Sequence, residues 1–249
     1  MKDKNNIKVN NHHFTRINTP FYSRFKLALL LALSNFHFSY GQDMDMDRYH
    51  FNYKKLIPAT IMIGTGIAIN GNQPQSIKNQ IKDYRNNAIP NFRTHIDDYL
   101  VFTPGIAAWG LEFSKYKSRT NVYDKAAIYI KSQAINYTST QLLKHTIRQL
   151  RPDGSNDLST PSGHTSFAFS NATFLAIEYK DELPWIPYAS YGIATSVGLL
   201  RIANNKHYLS DVLIGAAIGI LSTQLTYWTH QYKWEKLLGT QNNTSIFKP

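Results

Sequence analysis

The sequence predicts an all-α fold, a helical bundle with about six core helices. Two observations carry this prediction. Six apolar or amphipathic stretches, each 14 residues or longer, are separated by turn-rich breaks, and such lengths exceed most strands. Strictly alternating runs of the strand kind are scarce. The balance of 43% apolar and 17% charged residues also excludes a wholly disordered chain.

The first stretch, Leu56–Ile69, is apolar and ends at the turn-rich Asn70–Gln75. A second break, Asn86–Asn91, precedes Tyr99–Phe113, which closes at Lys117–Asn121. Ala126–Leu150 follows and meets Pro152–Ser159. Thr165–Tyr179, Tyr188–Ile202 and Asp211–Trp228 complete the set, separated by Asp181–Pro187 and Asn204–Lys206. No internal repeat recurs at a fixed period. Expected boundaries are residues 42–249 for one helical domain, with a core of about 56–228.

A comfortable membrane span needs about 20 mostly apolar residues. Leu183–Leu200 is uncharged but contains Pro184 and Pro187, and Val212–Trp228 contains Ser222, Thr223, Gln224 and Thr226. A mean hydropathy of −0.35 argues against six lipid-exposed spans and leaves room for one to three. Gly215, Ala216, Ala217 and Gly219 allow close helix approach in water or lipid.

Ahead of the domain, residues 1–26 are polar and basic, and Leu27–Leu33 is a compact apolar core. Ser39-Tyr40-Gly41 then supplies small residues at the two positions a signal peptidase reads. Residues 1–41 therefore read as a signal peptide or N-terminal anchor, with a mature chain starting near Gln42. Export to the periplasmic face, or to the membrane, is expected.

The chain of 249 residues carries a net charge of +11. The first 41 residues hold six basic side chains and one acidic, leaving 21 basic and 15 acidic residues, net +6, beyond them. A basic body suits an anionic partner as well as it suits solubility. Cysteine is absent, which excludes disulfides, Cys-ligated metal centres and thiol catalysis.

Three motifs narrow the chemistry. Lys144 and Arg151 are seven residues apart, which on a helix ending near Pro152 puts both cations on one face. Alone, this is also a solvated basic face. Pro161-Ser162-Gly163-His164 opens an apolar helix. The N–H groups of a helix start favour an anion, Gly163 permits close approach, and Ser162 adds a hydroxyl, although Ser162 is also an ordinary N-cap. His164 brings a titratable proton. In the third motif, Asn204-Asn205 offers a helix break between Arg201 and His207, and His207 and Asp211 are four apart. A carboxylate on one imidazole nitrogen fixes the tautomer and frees the other nitrogen. Together the motifs give three cations, two histidines and one carboxylate, with no evident metal cage. That is the equipment of metal-free phosphoryl chemistry, and no cofactor is expected.

This ordered set resembles the type 2 phosphatidic acid phosphatase and vanadium haloperoxidase superfamily. The motifs span Lys144 to Asp211, and the helical segmentation extends the likeness over roughly Leu56–Trp228. The resemblance implies that His207 attacks phosphorus and Asp211 orients it. It implies that His164 protonates the leaving alkoxide and then activates water. Lys144, Arg151, Ser162, Gly163 and Arg201 would hold the phosphate oxygens. One position departs from the family pattern: Leu200 stands where Ser usually precedes the arginine of the third motif. The expected activity is phosphoric ester hydrolysis, the substrate a phosphorylated lipid and the setting a membrane. A soluble exported acid phosphatase is the nearest alternative, followed by a vanadium haloperoxidase and a catalytically dead scaffold. Nucleic-acid binding leaves the three motifs unexplained. His95, Asp97 and Asp98 form a further polar cluster, expected to cap a helix N-terminus, with a metal or substrate site as the alternative.

Overall fold

The computed structural model describes residues 52–230, so residues 1–41, where a signal or anchor is expected, lie outside it. The described residues contain eight α-helices. These are α1 (Ile57–Ile69), α2 (Ile77–Ala88), α3 (Ile96–Leu100), α4 (Thr103–Gly110), α5 (Val122–Ile147), α6 (Gly163–Tyr179), α7 (Ile186–Ala203) and α8 (Leu209–Thr229). No strand occurs among the described residues.

Five of the expected stretches are single helices. Tyr99–Phe113 is instead shared by α3, α4 and a short 3-10 turn, Leu111–Phe113. Pro104, at the start of α4, lacks the amide proton that would continue α3. The helix α2 was not foreseen, because its sequence, IKNQIKDYRNNA, offers few apolar side chains.

The centre of the bundle is α6. From Thr165 to Tyr179 nearly every side chain is buried, which a helix reaches only when neighbours surround it. It packs chiefly on α8 and α7, with α4 and α5 on its remaining sides. The α6–α8 contact is a close backbone approach. A Cβ at Gly215 would sit 2.6 Å from the Ser162 carbonyl oxygen, and one at Gly219 would sit 2.2 Å from that of Ser166. Glycine four residues apart thus opens a groove for the neighbouring backbone, as the sequence suggested.

The interior combines apolar and polar contacts. Phe169, Ala194, Val197, Ala217 and Ile220 belong to one apolar cluster, and Ile128, Phe174, Tyr179 and Tyr227 to another. Along α5, Ile128, Ser132, Asn136, Thr140 and Lys144 recur every four residues on the buried face. Asn136 accepts from Ser166, Thr140 pairs with Ser166 at 3.0 Å, and Ser170 pairs with Thr223 at 2.9 Å. These pairs satisfy polar groups that burial would otherwise penalise. The stripe ends at Lys144, in the last turn of α5, and so delivers a cation to one end of the bundle.

Gly219→Ala should lower thermal stability by roughly 1–3 kcal/mol through overpacking. Gly192 on α7 has nothing within 4 Å of its Cβ position, so Gly192→Ala should be neutral or mildly stabilising. Thermal unfolding of the two variants checks the contrast. Equal melting temperatures would contradict the packing described for α6 and α8.

Candidate active site

The C-terminal ends of α5 and α7 and the N-terminal ends of α6 and α8 meet at one end of the bundle. Geometry at each end determines what reaches the centre. The helix α5 stops at Ile147, where Arg148 turns into the left-handed region with φ 49°. Arg151 is therefore not on the helix, and the expected shared helical face for Lys144 and Arg151 is incorrect. Arg151 lies in the following loop, its Nε donating to Asn156 Oδ1 at 2.9 Å and its N–H to the Asn156 carbonyl. The loop folds back, so that Arg151 still lowers the proton affinity of Lys144. Lys144 Nζ donates to the Leu158 carbonyl at 2.6 Å. Burial first, then the charge of Arg151, brings Lys144 down to about 8.

Ser162 is the N-cap of α6: its Oγ accepts from Thr165 Oγ1 at 2.9 Å. The bland capping role is thus real, and it orients the hydroxyl. Gly163 is the first helical residue, and its N–H has no protein partner among the described residues. A Cβ on Gly163 would lie 3.8 Å from Lys144 Cε, which places this amide beside the lysine. On α7, Arg201 is buried one turn from the helix end, and its Nε is buried with no hydrogen-bond partner. The residue before it, Leu200, contributes its carbonyl to Asn204 N–H at 2.8 Å.

His207 lies in the turn ahead of α8 and is 2% exposed. Asp211 lies in the first turn of α8 and is completely buried. Its Oδ2 accepts from Ser159 Oγ at 2.6 Å and from Tyr208 N–H at 2.9 Å, while Oδ1 accepts from Thr160 Oγ1 at 2.5 Å. Its main-chain carbonyl accepts from Ser162 N–H at 3.0 Å. His207 Nδ1 is 3.6 Å from Asp211 Oδ2, just longer than a hydrogen bond. Burial pushes His207 down to about 4 against the opposing pull of Asp211, with Lys144 and Arg151 lowering it further. The imidazole is therefore neutral at pH 7, with an unprotonated nitrogen.

His164, on the first turn of α6, meets a residue that the sequence did not assign to the site. Its Nε2 lies 2.9 Å from Asp98 Oδ1. Asp98 Oδ2 in turn lies 3.1 Å from His95 Nδ1. The neighbouring Asp97 is buried and accepts from Arg201 Nη1 at 2.7 Å and from Asn204 Nδ2 at 3.0 Å. The expected capping role is corrected accordingly. Both acids do lie in the first turn of α3, but its N-cap, His95, makes no side-chain capping bond, and Asp97 and Asp98 also reach Arg201 and His164. The adjacency Asp97-Asp98 behind a histidine was the available signal, and only the tertiary fold shows its target. Among the described residues, no group of three or more His, Asp or Glu is arranged to hold a metal ion.

The helix α2 supports the third motif from behind. Arg85 donates through Nε and Nη2 to the Ala203 carbonyl, at 2.9 and 2.6 Å, closing the C-terminus of α7. Asn204 exchanges hydrogen bonds with the backbone of Thr94. Lys78 sits 5.0 Å over the Tyr208 ring, next to His207.

Residues 125–235 match the model of the PAP2 superfamily. That segment is similar to the PAP2 superfamily. The chain is 36% identical over 154 residues to lipid A 1-phosphatase of Porphyromonas gingivalis, covering 61% of this chain and 35% of that protein. It is 27% identical over 167 residues to phospholipid phosphatase 2 of Rattus norvegicus, covering 51% of this chain and 59% of that one. The chain thus spans about a third and three fifths of these relatives. A crystal structure of Aquifex aeolicus LpxE aligns with a TM-score of 0.47 and 21% identity, covering 61% of this chain and 94% of the other. All the motif residues from Lys144 to Asp211 fall inside the matched PAP2 segment, whereas Asp97 and Asp98 precede it.

In an NMR titration of the imidazole nitrogens, His207 should remain neutral down to about pH 4. His164 should titrate below the ordinary 6.5, because burial and Arg201 outweigh Asp98 and Asp97. The sign for stability follows. Between pH 4 and 6.5 the unfolded chain binds the proton that folded His207 refuses, so stability should fall as pH drops through that window. A His207 titrating at or above 6.5 would contradict the buried placement.

Proposed function

We propose that the chain is a metal-independent phosphatase that hydrolyses a phosphomonoester or diphosphate of a lipid through a phosphohistidine intermediate. The observation that carries this reading is a buried, neutral His207 backed by Asp211 at a helix end that also gathers Lys144, Arg151 and Arg201. The site offers a nucleophile with a free electron pair and positive charge for the phosphate oxygens.

The geometry supports the following steps. Nδ1 of His207 faces Asp211, so Nε2 attacks phosphorus and the bond to the leaving oxygen breaks. His164 gives the leaving alkoxide its proton. The phosphorylated imidazole is cationic, and Asp211 then gains a full charge partner. A water molecule next attacks phosphorus, His164 takes its proton, and the P–N bond breaks to restore His207. Arg151, Arg201 and Lys144, with the Ser162 hydroxyl and Gly163 N–H, hold the three non-bridging oxygens, where negative charge concentrates in the transition state. The anion also relieves the crowding of three cations.

A lipid substrate is supported by the outer surface. Ile61, Ile106, Ile130 and Leu199, from four different helices, are each at least 59% exposed. Large apolar side chains exposed on several helices suit contact with a membrane. Relatives named for lipid A and phospholipid phosphatase activity support the same reading. The proposed setting is the periplasmic face or the membrane, resting on the N-terminal export pattern. One observation favours the soluble acid phosphatase. The helix α8 is long and apolar enough to cross a membrane, yet 72% of its most apolar window is buried inside the bundle.

The test is phosphate release in chelator from phosphatidate, phosphatidylglycerophosphate, a polyprenyl diphosphate and a lipid A phosphate, beside a water-soluble aryl phosphate. Lipid-selective release is expected, reduced at least about a thousandfold in a folded His207→Ala variant. Retained turnover in that variant would sink the nucleophile assignment. Preference for the aryl ester would favour the soluble phosphatase. No release from any substrate would refute the phosphatase reading for this panel.

A further inference from the structure

Both motif histidines, His207 and His164, face a carboxylate, and the matched PAP2 segment contains only the first pair whole. The second is His164 with Asp98, which comes from α3, outside the matched segment. This inference rests on the proposed phosphatase reading. We infer that Asp98 is a positioning residue that holds His164 through Nε2–H, so that Nδ1 is the nitrogen that serves the substrate.

The chemistry of imidazole supports the assignment. A neutral ring carries one N–H, and the partner of one nitrogen decides the role of the other. An ionised Asp98 can only accept, so it selects the Nε2–H tautomer. Nδ1 of His164 has no protein partner among the described residues. In the first step, Nδ1–H gives its proton to the leaving oxygen. In the second, the Nδ1 electron pair takes a proton from water. Nε2–H stays on Asp98 throughout, so the ring need not turn over between steps.

The surrounding charges give Asp98 a second effect. His164 faces Asp98 and Asp97 from α3 and Arg201 from α7. On α5, Lys144 lies beside Gly163, and on α8 the Asp211 carboxylate is engaged by Ser159, Thr160 and Tyr208. Burial and Arg201 both favour the neutral ring, whereas a general acid must be protonated. Asp98 opposes them, and its own proton affinity is lowered first by His95 and also by His164 and Arg201, so it stays ionised. Asp97 does different work: its carboxyl is 1% exposed and holds Arg201. Two adjacent acids therefore serve the acid–base histidine and one phosphate-binding arginine.

Asp98→Asn and Asp98→Glu decide the matter, with circular dichroism to check folding. The substrates are an alkyl phosphate lipid, whose poor leaving group needs a proton, and an aryl phosphate, whose good leaving group does not. Asp98→Asn should cut kcat on the alkyl ester by about 10- to 100-fold with KM within about threefold. On the aryl ester it should cut kcat/KM, which reports the phosphorylation step alone, by no more than about threefold, while the shared water-activation step slows kcat on both esters. The alkaline limb of kcat/KM should move to lower pH by about one unit, because the lost carboxylate favoured the protonated ring. Asp98→Glu should recover part of the alkyl-ester rate.

A uniform loss of kcat/KM on both esters with an unchanged pH profile would assign Asp98 a purely structural role and overturn the inference. So would a gain in kcat/KM, the sign of an acid that merely repels phosphate. If the wild type is active and His207→Ala is dead while Asp98→Asn matches the wild type, only this inference fails. An inactive wild type would overturn the phosphatase reading and this inference with it. If Asp98→Asn does not fold, the same leaving-group and pH comparison on Asp98→Glu decides, and wild-type values there would overturn the inference.

Discussion

The site depends on one buried carboxylate. Removing an ionised carboxylate from water costs several kcal/mol unless partners replace the solvent. Asp211 obtains those partners from Ser159 and Thr160 in the α5–α6 loop and from the Tyr208 N–H at the head of α8. Its carbonyl simultaneously takes the Ser162 N–H, fixing the start of α6. A single residue therefore joins the loop after the first motif, the second motif and the third. The one partner still at ionic distance is His207, at 3.6 Å. A charge appearing on that imidazole would draw the pair together by a few tenths of an ångström. Folding and chemistry thus use the same carboxylate.

Positive charge gathers around this anchor against its own repulsion. Lys144 is depressed to about 8, first by burial and then by Arg151. Arg201 offers a buried, unpartnered Nε beside an ion pair with Asp97. The groups are held apart by backbone carbonyls, by Asn156 and by the acids of α3, rather than by one another. An anion would relieve that repulsion, and the tetrahedral phosphate of the proposed substrate, with three free oxygens, would match it. The support from α2, where Arg85 closes the end of α7, shows why a polar helix is retained there: it holds the backbone between Arg201 and His207.

Much of this was legible in the sequence. Long apolar stretches specified the helices, and the three motifs named the residues that meet. Legibility failed where tertiary contacts replaced local pattern. The helix α2 is stabilised by Arg85 and Lys78 reaching the third motif, which hydropathy does not register. Lys144 and Arg151 were placed on one helix, but the left-handed Arg148 ends it early and the loop restores their proximity. Asp97 and Asp98 looked like helix-terminal acids, since their partners lie 104 and 66 residues away. Local rules describe what a residue does for its own helix, and these acids act on other helices.

The central claim is that His207 becomes covalently phosphorylated. Rapid acid-free quenching of the protein during turnover of a 32P-labelled lipid phosphate, followed by peptide mapping, tests it most directly. The account predicts a labelled adduct at His207 that survives alkali, decays in acid and is missing from a folded His207→Ala variant. Active turnover with no label at His207, or with label on another residue, would contradict it.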